Sequence, residues 1–362
     1  MLKDKEKIKE WLYSMDIENY TINDDFTVDV DGNVDIYDKK LTNIPVQFGN
    51  IIGSFKCNDN KLTTLQGVPQ SISGYFDCSN NKLTSLQNFP KSIGKSFYCY
   101  KNLLTTLQGS PQSIDGDFNC SNNLLNTLEG GPQSVNGSFN CNYNKLTTLQ
   151  GCPKSVVKSF YCGNNLLTTL QGCPQSIGDG FYCSYNQLIT LEGCSKFGGE
   201  FICSNNLLTT LQGISESVDG DFICSDNLLT SLQYCPKSVG GFFNCSNNKL
   251  TSLQGCPQSV AGDFYCNDNI LTSLQYCPKS IEGGFYCINN PLKNIDLNDF
   301  NCEFSGIFYN KGSIIEEFSE FYIDDTLSLN HKDLENIKLN NKLNNTIKNK
   351  TETIHTISKN KL

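Results

Sequence analysis

The 362-residue sequence contains no arginine, since every one of its 28 strongly basic residues is a lysine. Arginine is the side chain best suited to bidentate phosphate recognition, and a net charge of -9 repels a phosphate backbone. Positive charge is concentrated in residues 327–362, which carry +4, whereas residues 1–50 carry -5. The composition therefore argues against a nucleic-acid partner.

Histidine is almost as scarce, and this bears on catalysis. The only two histidines, His331 and His355, both lie in the Asn- and Lys-rich C-terminal segment. Catalytic groups must be held rigidly, so we do not expect a Cys-His dyad or a Ser-His-Asp triad on such a segment. The closely spaced C-x-x-C pairs that are typical of zinc sites do not occur. We expect a protein that is not an enzyme, with no catalytic residue, no metal and no cofactor.

Long apolar runs are also missing. No stretch approaches the roughly 18 residues of a membrane span, and the opening MLKDKEKIKEWLYSM lacks the apolar core and cleavage site of a secretory signal. Nineteen cysteines without an export signal indicate a reducing compartment. These absences predict a cytoplasmic protein without a membrane partner, and we expect it to be a monomer.

Cysteine dominates what is present, and its spacing reveals a repeat. Successive cysteines lie 21 residues apart, with one interval of 20, at Cys57, Cys78, Cys99, Cys120, Cys141, Cys162, Cys183, Cys203, Cys224, Cys245, Cys266 and Cys287. Around each one, an aromatic residue precedes the Cys by two positions, Asn follows by three and Leu or another apolar residue by five and eight. Self-similarity at such a period is the signature of a repeat solenoid.

The alternation within each repeat predicts a short strand. In the unit around Cys120, Phe118 and Cys120 point inward and Asp117 and Asn119 point outward. Stacking of the units gives a curved parallel sheet with a concave strand face. Asn123 and its equivalents are expected to bond the backbone of a neighbouring turn. A proline in most units favours an extended convex return path without a helix.

This motif resembles that of leucine-rich-repeat proteins, with Phe and Cys at the first two Leu positions. The resemblance covers residues 28–297, counting a degenerate unit at Val34-Asp-Ile36. The short unit is similar to those of bacterial effectors and of repeat proteins from phages and large DNA viruses of the mimivirus kind. The resemblance implies binding of a protein on the concave face, in the host cytoplasm if the chain is viral.

The cysteines allow three interpretations: disulfides, metal ligands or small apolar core residues. The last is favoured, because free Cys packs as a small hydrophobe and parallel side chains hold neighbouring Cβ atoms apart. A second set lies eleven residues after the strand cysteines, where other units have Val68, Phe89 or Ile214, and marks another apolar position. Its members are Cys152, Cys173, Cys194, Cys235, Cys256 and Cys277.

The two ends of the chain depart from the repeat and are interpreted as caps. Residues 1–50 are predicted to form an N-terminal cap, with a helix over 4–15, a hairpin turning at Asp31-Gly32 and the degenerate first unit. Repeats are assigned to 51–302, a C-terminal cap to 303–326 and a mobile basic tail to 327–362. A local kink is expected between Cys183 and Cys203, where one residue and a proline are lost.

The outward positions of the strands vary from unit to unit, and variation there can encode a partner. Exposed Tyr and Ile pairs resemble the anchors of protein interfaces, and acidic residues lie beside them. The predicted partner-binding residues are Tyr98, Tyr161, Tyr182, Ile202, Ile223, Phe242, Tyr265, Tyr286, Asp117, Glu200, Asp221 and Asp263. A compatible alternative is that these pairs only stabilise neighbouring strands.

These features favour two classes of function. The first is a non-catalytic scaffold that binds a protein partner on the concave face, and its partner would carry apolar anchors and some Lys or Arg. The second is a structural or assembly component of a viral particle.

Overall fold

Each 21-residue repeat forms one turn of a parallel β-solenoid, which confirms the predicted repeat solenoid. The computed structural model describes residues 1–194 and 196–292, together with the backbone of residues 303–304 and 308–309. Every regular turn contains two strands of two residues each, one in a long front sheet and one on the opposite side of the core. The two sides are joined by tight corners, and the apolar core lies between them.

The front sheet runs through the whole described solenoid, with the Phe of each turn paired in register with the Phe of the next. Its fourteen parallel strands are Val34–Asp35, Phe55–Lys56, Phe76–Asp77, Phe97–Tyr98, Phe118–Asn119, Phe139–Asn140, Phe160–Tyr161, Phe181–Tyr182, Phe201–Ile202, Phe222–Ile223, Phe243–Asn244, Phe264–Tyr265, Phe285–Tyr286 and Phe308–Tyr309.

The opposite side is split into three back sheets of five strands each. The first contains Tyr20–Ile22, Thr27–Val30, Gln47–Ile51, Ser71–Ile72 and Ser92–Ile93. The second contains Ser113–Ile114, Ser134–Val135, Ser155–Val156, Ser176–Ile177 and Lys196–Phe197. The third contains Ser217–Val218, Ser238–Val239, Ser259–Val260, Ser280–Ile281 and Glu303–Phe304. The predicted extended return path is thus a further row of strands.

The irregular unit between Cys183 and Cys203 affects the two sides differently. On the front, Phe181 pairs with Phe201 in unbroken register. On the back, the second sheet ends at Lys196–Phe197 and the third begins at Ser217–Val218. The front sheet therefore stays continuous through the irregular unit, and its back strand still pairs in register with Ser176–Ile177.

The core consists of one Phe, one Cys, two Leu and one Val or Ile from a typical turn. The ring centroids of successive front-sheet phenylalanines, from Phe55 to Phe285, are 5.1 to 6.0 Å apart. Phe118, Cys120, Leu125 and Leu128 are all fully buried. Burial of a side chain such as Phe or Leu contributes about 1.5–3 kcal/mol, so the repeated inward positions are the main source of stability.

A residue in the left-handed backbone region follows each front strand and turns the chain toward the next corner. It lies two positions after the Cys, and its φ is between 51° and 57° in the twelve turns from Asp59 to Asn289. Asn or Asp occupies nine of these twelve positions, because their short polar side chains tolerate this conformation better than other residues do.

The N-terminal end of the core is covered by helix α1, Lys5–Ser14, and a hairpin. Asp4 caps the helix by accepting hydrogen bonds from the backbone N–H groups of the first turn. Ile8 and Leu12 are fully buried, and the ring of Trp11 lies 6.2 Å from that of Phe48. The predicted apolar stripe therefore does face the first turns of the solenoid.

The predicted position of the hairpin was wrong. The antiparallel pair is Tyr20–Ile22 with Thr27–Val30, so the hairpin turns before Thr27 and not at Asp31-Gly32. The strands on either side of Asp31-Gly32 belong to different sheets, one at the back and one at the front. This dipeptide forms a corner of the solenoid, because Val34 already begins the front sheet.

Past residue 302 the backbone continues the solenoid by one more turn. Glu303–Phe304 extends the third back sheet, and Phe308–Tyr309 pairs in register with Phe285–Tyr286. The repeat thus enters the segment that the sequence assigned to a C-terminal cap. The remainder of that segment, the 327–362 tail with both histidines, and Cys302 lie outside the described residues. No helix in the described ranges is long and apolar enough to span a membrane.

Candidate functional site

The outward side of the front sheet, here called the front face, is formed by three columns of side chains. One column lies between Phe and Cys in each turn, one precedes the Phe, and one follows the Cys. The residues of the middle column stand directly above one another, because neighbouring strands pair Phe with Phe. These middle side chains are half-buried in every turn from Lys56 to Tyr286. Each turn thus places one variable side chain at a fixed point of a rigid sheet.

Two tyrosine pairs are the largest features of the middle column. The rings of Tyr161 and Tyr182 are stacked with their centroids 4.5 Å apart and an interplanar angle of 9°. Tyr265 and Tyr286 are stacked in the same way, at 4.5 Å and 14°. Phe242, in the preceding column, meets Tyr265 edge-on at 6.2 Å. The predicted aromatic neighbours are therefore in contact.

Two isoleucines lie in the same column between the tyrosine pairs. Ile202 pairs directly with Ile223 in adjacent strands, and Ile202 also pairs with Tyr182. Both are half-buried. Between Ile223 and Tyr265 only Asn244 intervenes. The segment from Tyr161 to Tyr286 is consequently an almost continuous apolar stripe.

The acidic residues of the column before the Phe have a structural role that was not predicted from the sequence. One carboxylate oxygen of Asp117 accepts a hydrogen bond from the Ser138 N–H, 21 residues later, at 2.8 Å. Asp221 and Asp263 accept in the same way from the next turn, at 2.9 and 2.7 Å. Ser54 and Ser96 perform this function in other turns. Because Ser, Asn and Asp can all do this, no single residue type marks the position in the sequence.

Two of these carboxylates also contact a tyrosine hydroxyl. The Tyr265 hydroxyl donates to the second oxygen of Asp263 at 2.7 Å, and the Tyr182 hydroxyl donates to Glu200. Burial is the largest cause of a raised pKa at both tyrosines, and the neighbouring carboxylate raises the pKa further because it disfavours a phenolate. Tyr182 and Tyr265 are therefore held as neutral phenols, each with a carboxylate beside its hydroxyl.

The first turns hold an aromatic and charged group that includes one predicted residue, Tyr98. Its ring packs edge-on against Tyr75 at 6.1 Å. The ammonium of Lys56 lies 5.9 Å from the centroid of Tyr75 and 3.3 Å from a carboxylate oxygen of Asp35. Hydrogen bonding to Tyr75 and Asp35 raises the pKa of Lys56. Tyr75 and Lys56 were not predicted as site residues, because a single Tyr before Phe has no counterpart in adjacent turns.

The cysteines form two columns, and no disulfide bond joins any of the eighteen described ones. The twelve of the front strands are fully buried, so they are the small core residues that the sequence favoured. Burial raises the pKa of each of these front-strand thiols. The second set is partly exposed and packs against the core. No cluster of His, Cys, Asp and Glu suited to a metal ion occurs within residues 1–194 and 196–292.

Comparison with known proteins yields matches only at the level of solved structures. No protein-family model matches the chain, and no curated protein sequence does. The chain is similar to YopM, a leucine-rich effector protein from Yersinia pestis, with a TM-score of 0.45 and 18% identity over 77% of this chain and 88% of that one. It is also similar to YopM from Yersinia enterocolitica WA-314, with a TM-score of 0.45 and 19% identity over 75% of this chain and 74% of that one.

Proposed function

We propose that this protein is a non-catalytic interaction module whose front face binds a protein partner. The observation that carries the proposal is the stripe from Tyr161 to Tyr286, in which two stacked tyrosine pairs flank the isoleucines 202 and 223. Tyr is enriched in binding hot spots because it offers a large apolar area and a polar hydroxyl at low entropic cost. On a soluble surface, an aligned apolar stripe of this length is most simply explained by a partner that covers it.

The rigidity of the face supports binding rather than catalysis. Its side chains stand on short strands anchored by a fully buried Phe and Cys in each turn. Such a surface is preorganised, so little conformational entropy is lost when a partner docks. The reactive side chains of the described core are thiols whose pKa is raised by burial, which makes them poor nucleophiles.

The test is site-specific photo-crosslinking in an extract of cells that produce the chain. Tyr182 is replaced by p-benzoylphenylalanine in one variant, and Tyr234, an exposed tyrosine away from the front face, is replaced in another. We expect a discrete crosslinked product only from position 182. Products of equal yield from both positions, or from position 234 alone, would contradict binding on the front face.

A pair of matched variants tests the tyrosines themselves. In the first, Tyr161, Tyr182, Tyr265 and Tyr286 are all changed to Asn, the residue that the same column already carries at Asn119, Asn140 and Asn244. In the control, the exposed tyrosines 143, 185, 234 and 276 are changed to Asn, which occupies the equivalent positions in other turns. We expect the partner to be lost from the first variant and retained by the control. Assembly of the chain into particles with both variants unimpaired would favour the structural class instead.

A further inference from the structure

The front face of the later turns is acidic and contains no lysine, unlike the face of the first turns. From Gly180 to Ile288 its three columns hold Glu200, Asp221 and Asp263 and no basic residue. The lysines of the same turns, Lys196, Lys237, Lys249 and Lys279, lie outside these columns. A partner on this part of the face therefore meets uncompensated negative charge beside aromatic rings.

The first turns show how this face holds a cation. There, the ammonium of Lys56 is placed between the ring of Tyr75 and the carboxylate of Asp35. A tyrosine ring attracts a cation through its quadrupole, and the carboxylate adds a charge-assisted hydrogen bond. The chain thus supplies its own lysine to one combination of tyrosine and carboxylate.

A tyrosine and a carboxylate also lie together twice in the later turns, where a hydrogen bond joins them directly, and no lysine of the described turns is placed on either combination. Tyr182 with Glu200 forms one combination, and Tyr265 with Asp263 forms the other. One oxygen of Asp263 is used by the Gly284 N–H. The other accepts only the Tyr265 hydroxyl among the contacts of the described residues, and a carboxylate oxygen has room for a second donor. Each combination therefore offers a carboxylate acceptor to an external cation, beside a tyrosine ring that has one face stacked on Tyr161 or on Tyr286.

We propose that these two combinations each bind a Lys or Arg side chain of the partner, and that the partner segment is extended and carries two basic residues about six positions apart. Tyr182 and Tyr265 are separated by four turns of the solenoid, which is about 19 Å at ~4.8 Å per strand. An extended chain rises about 3.3 Å per residue and covers this distance in about six residues. Ile202 and Ile223 lie between the two combinations and meet an apolar residue in the middle of the segment. This inference rests on the proposed function of the front face.

The probe is a blocked nonapeptide of Gly and Ser with arginines at its second and eighth positions and isoleucine at its fifth. Its affinity for the full chain is measured by isothermal titration calorimetry in 50 mM and 300 mM NaCl. Citrulline replaces both arginines in one comparison peptide, which keeps the shape and removes the charge. In a second comparison peptide the arginines are three positions apart. We expect each change to weaken binding by at least about tenfold, and the higher salt to weaken binding of the parent peptide.

Variants of the chain then locate the bound arginines. The double variant Glu200→Gln and Asp263→Asn removes two charges and keeps one side-chain oxygen at each position. At position 263 this oxygen can still accept from the Gly284 N–H, and the new amide NH2 can donate to the hydroxyl oxygen of Tyr265. The matched control, Glu192→Gln and Asp219→Asn, removes two charges from exposed positions outside the front face. We expect about a tenfold loss of affinity in the first variant and less than a twofold loss in the control.

The outcomes separate this inference from the proposed function. Binding that is lost in the four-tyrosine variant but unchanged in the Glu200 and Asp263 variant overturns the inference and leaves the front face as a binding surface. Equal losses in the charge variant and its control also overturn it, since net charge alone then explains the effect. No binding of the arginine peptide at 1 mM overturns it as well, while the crosslinking result still decides the proposed function independently.

Discussion

The side-chain amide of Asn123 donates a hydrogen bond to the carbonyl oxygen of Cys99, 24 residues earlier, at 3.0 Å. The same nitrogen lies within hydrogen-bond distance of the Cys120 and Ser121 carbonyl oxygens, and the amide oxygen accepts from the Leu104 N–H. This one buried side chain thus links two successive turns at a place where the chain forms no β-strand. The arrangement repeats in every turn from Asn60 to Asn290.

Replacing Asn123 with Ala is expected to lower the free energy of unfolding by about 2–4 kcal/mol, because buried backbone groups of both turns lose their partner. Urea denaturation followed by circular dichroism measures the change. Asn136→Ala is the control, since among the described residues its exposed amide hydrogen-bonds Asp115 alone, at 3.3 Å. We expect a loss of less than about 0.5 kcal/mol there. Equal losses of unfolding free energy at the two positions would show that the buried amide of Asn123 contributes no more to stability than an exposed amide does.

The two columns of cysteine are expected to differ in reactivity. The front-strand thiols are fully buried and their pKa is raised by burial, so iodoacetamide at pH 8 should leave them unmodified in the native protein. Cys152 and Cys256 of the second column are partly exposed and should be modified first, although burial raises their pKa too. Peptide mass spectrometry after timed quenching gives the order. Early labelling of Cys120 in folded protein would contradict the described core.

The inward residues could be predicted from the sequence because every turn places them in the same environment. Phe118, Cys120 and Asn123 recur at a fixed spacing, and their burial and the Asn hydrogen bonds follow from residue type alone. The N-terminal helix was predicted from its apolar stripe in the same way. The residue types at these positions are compatible with few environments other than a buried one.

Features that depend on contacts between turns were harder to predict. The carboxylate of Asp117 bonds the backbone of the next turn, but Ser96 does the same one turn earlier, so the column has no constant residue. The extra turn at Phe308–Tyr309 was missed because it follows Phe285 by 23 residues and Asn replaces the Cys. The hairpin was misplaced because Asp-Gly suits a solenoid corner as well as a hairpin turn.

Tyr234 and Tyr276 occupy a backbone conformation that the chain otherwise gives mainly to glycine. Their φ values are 68° and 69°, and equivalent positions in other turns include Gly151, Gly172 and Gly255. We expect Tyr234→Gly and Tyr276→Gly each to raise the free energy of unfolding by about 0.5–1 kcal/mol, since the left-handed strain exceeds the entropic cost of glycine. Thermal and urea denaturation of the two single variants measure this.

The reverse change at the intervening turn is the complementary control. A Cβ atom on Gly255 would lie 2.8 Å from the carbonyl oxygen of Leu232, so Gly255→Tyr should lower the free energy of unfolding, by about 1–3 kcal/mol. If Gly255→Tyr were neutral and Tyr234→Gly were destabilising, the tyrosines would make contacts that outweigh the strain.

The stabilising contribution of Asp77 is expected to decrease as pH rises, which is the opposite of the usual behaviour of a carboxyl group. Burial is the largest cause of its raised pKa, and the charge of Asp59 raises it further, while hydrogen bonds from Ser79 and the charge of Lys56 act in the opposite direction. A raised carboxyl pKa means that the folded state favours the protonated form. The stability that Asp77 contributes is therefore fully present below its unfolded pKa of about 3.9 and is lost as pH rises through the folded pKa.

Asp77→Asn tests this directly, because Asn119 and Asn140 already fill the same column and accept the same local backbone hydrogen bond. The variant should match the native protein at pH 3 and be more stable than it at pH 7, as measured by urea denaturation at each pH.

Asp25→Asn is the opposite case, because hydrogen bonds from Thr27 lower the pKa of Asp25. The stabilising contribution of Asp25 is therefore present at pH 7 and is lost as pH falls below its unfolded pKa. The two variants should consequently diverge from the native protein in opposite directions at pH 7 and converge on it at low pH. A common direction would mean that a change in net charge, and not the local environment of each carboxyl, governs the response.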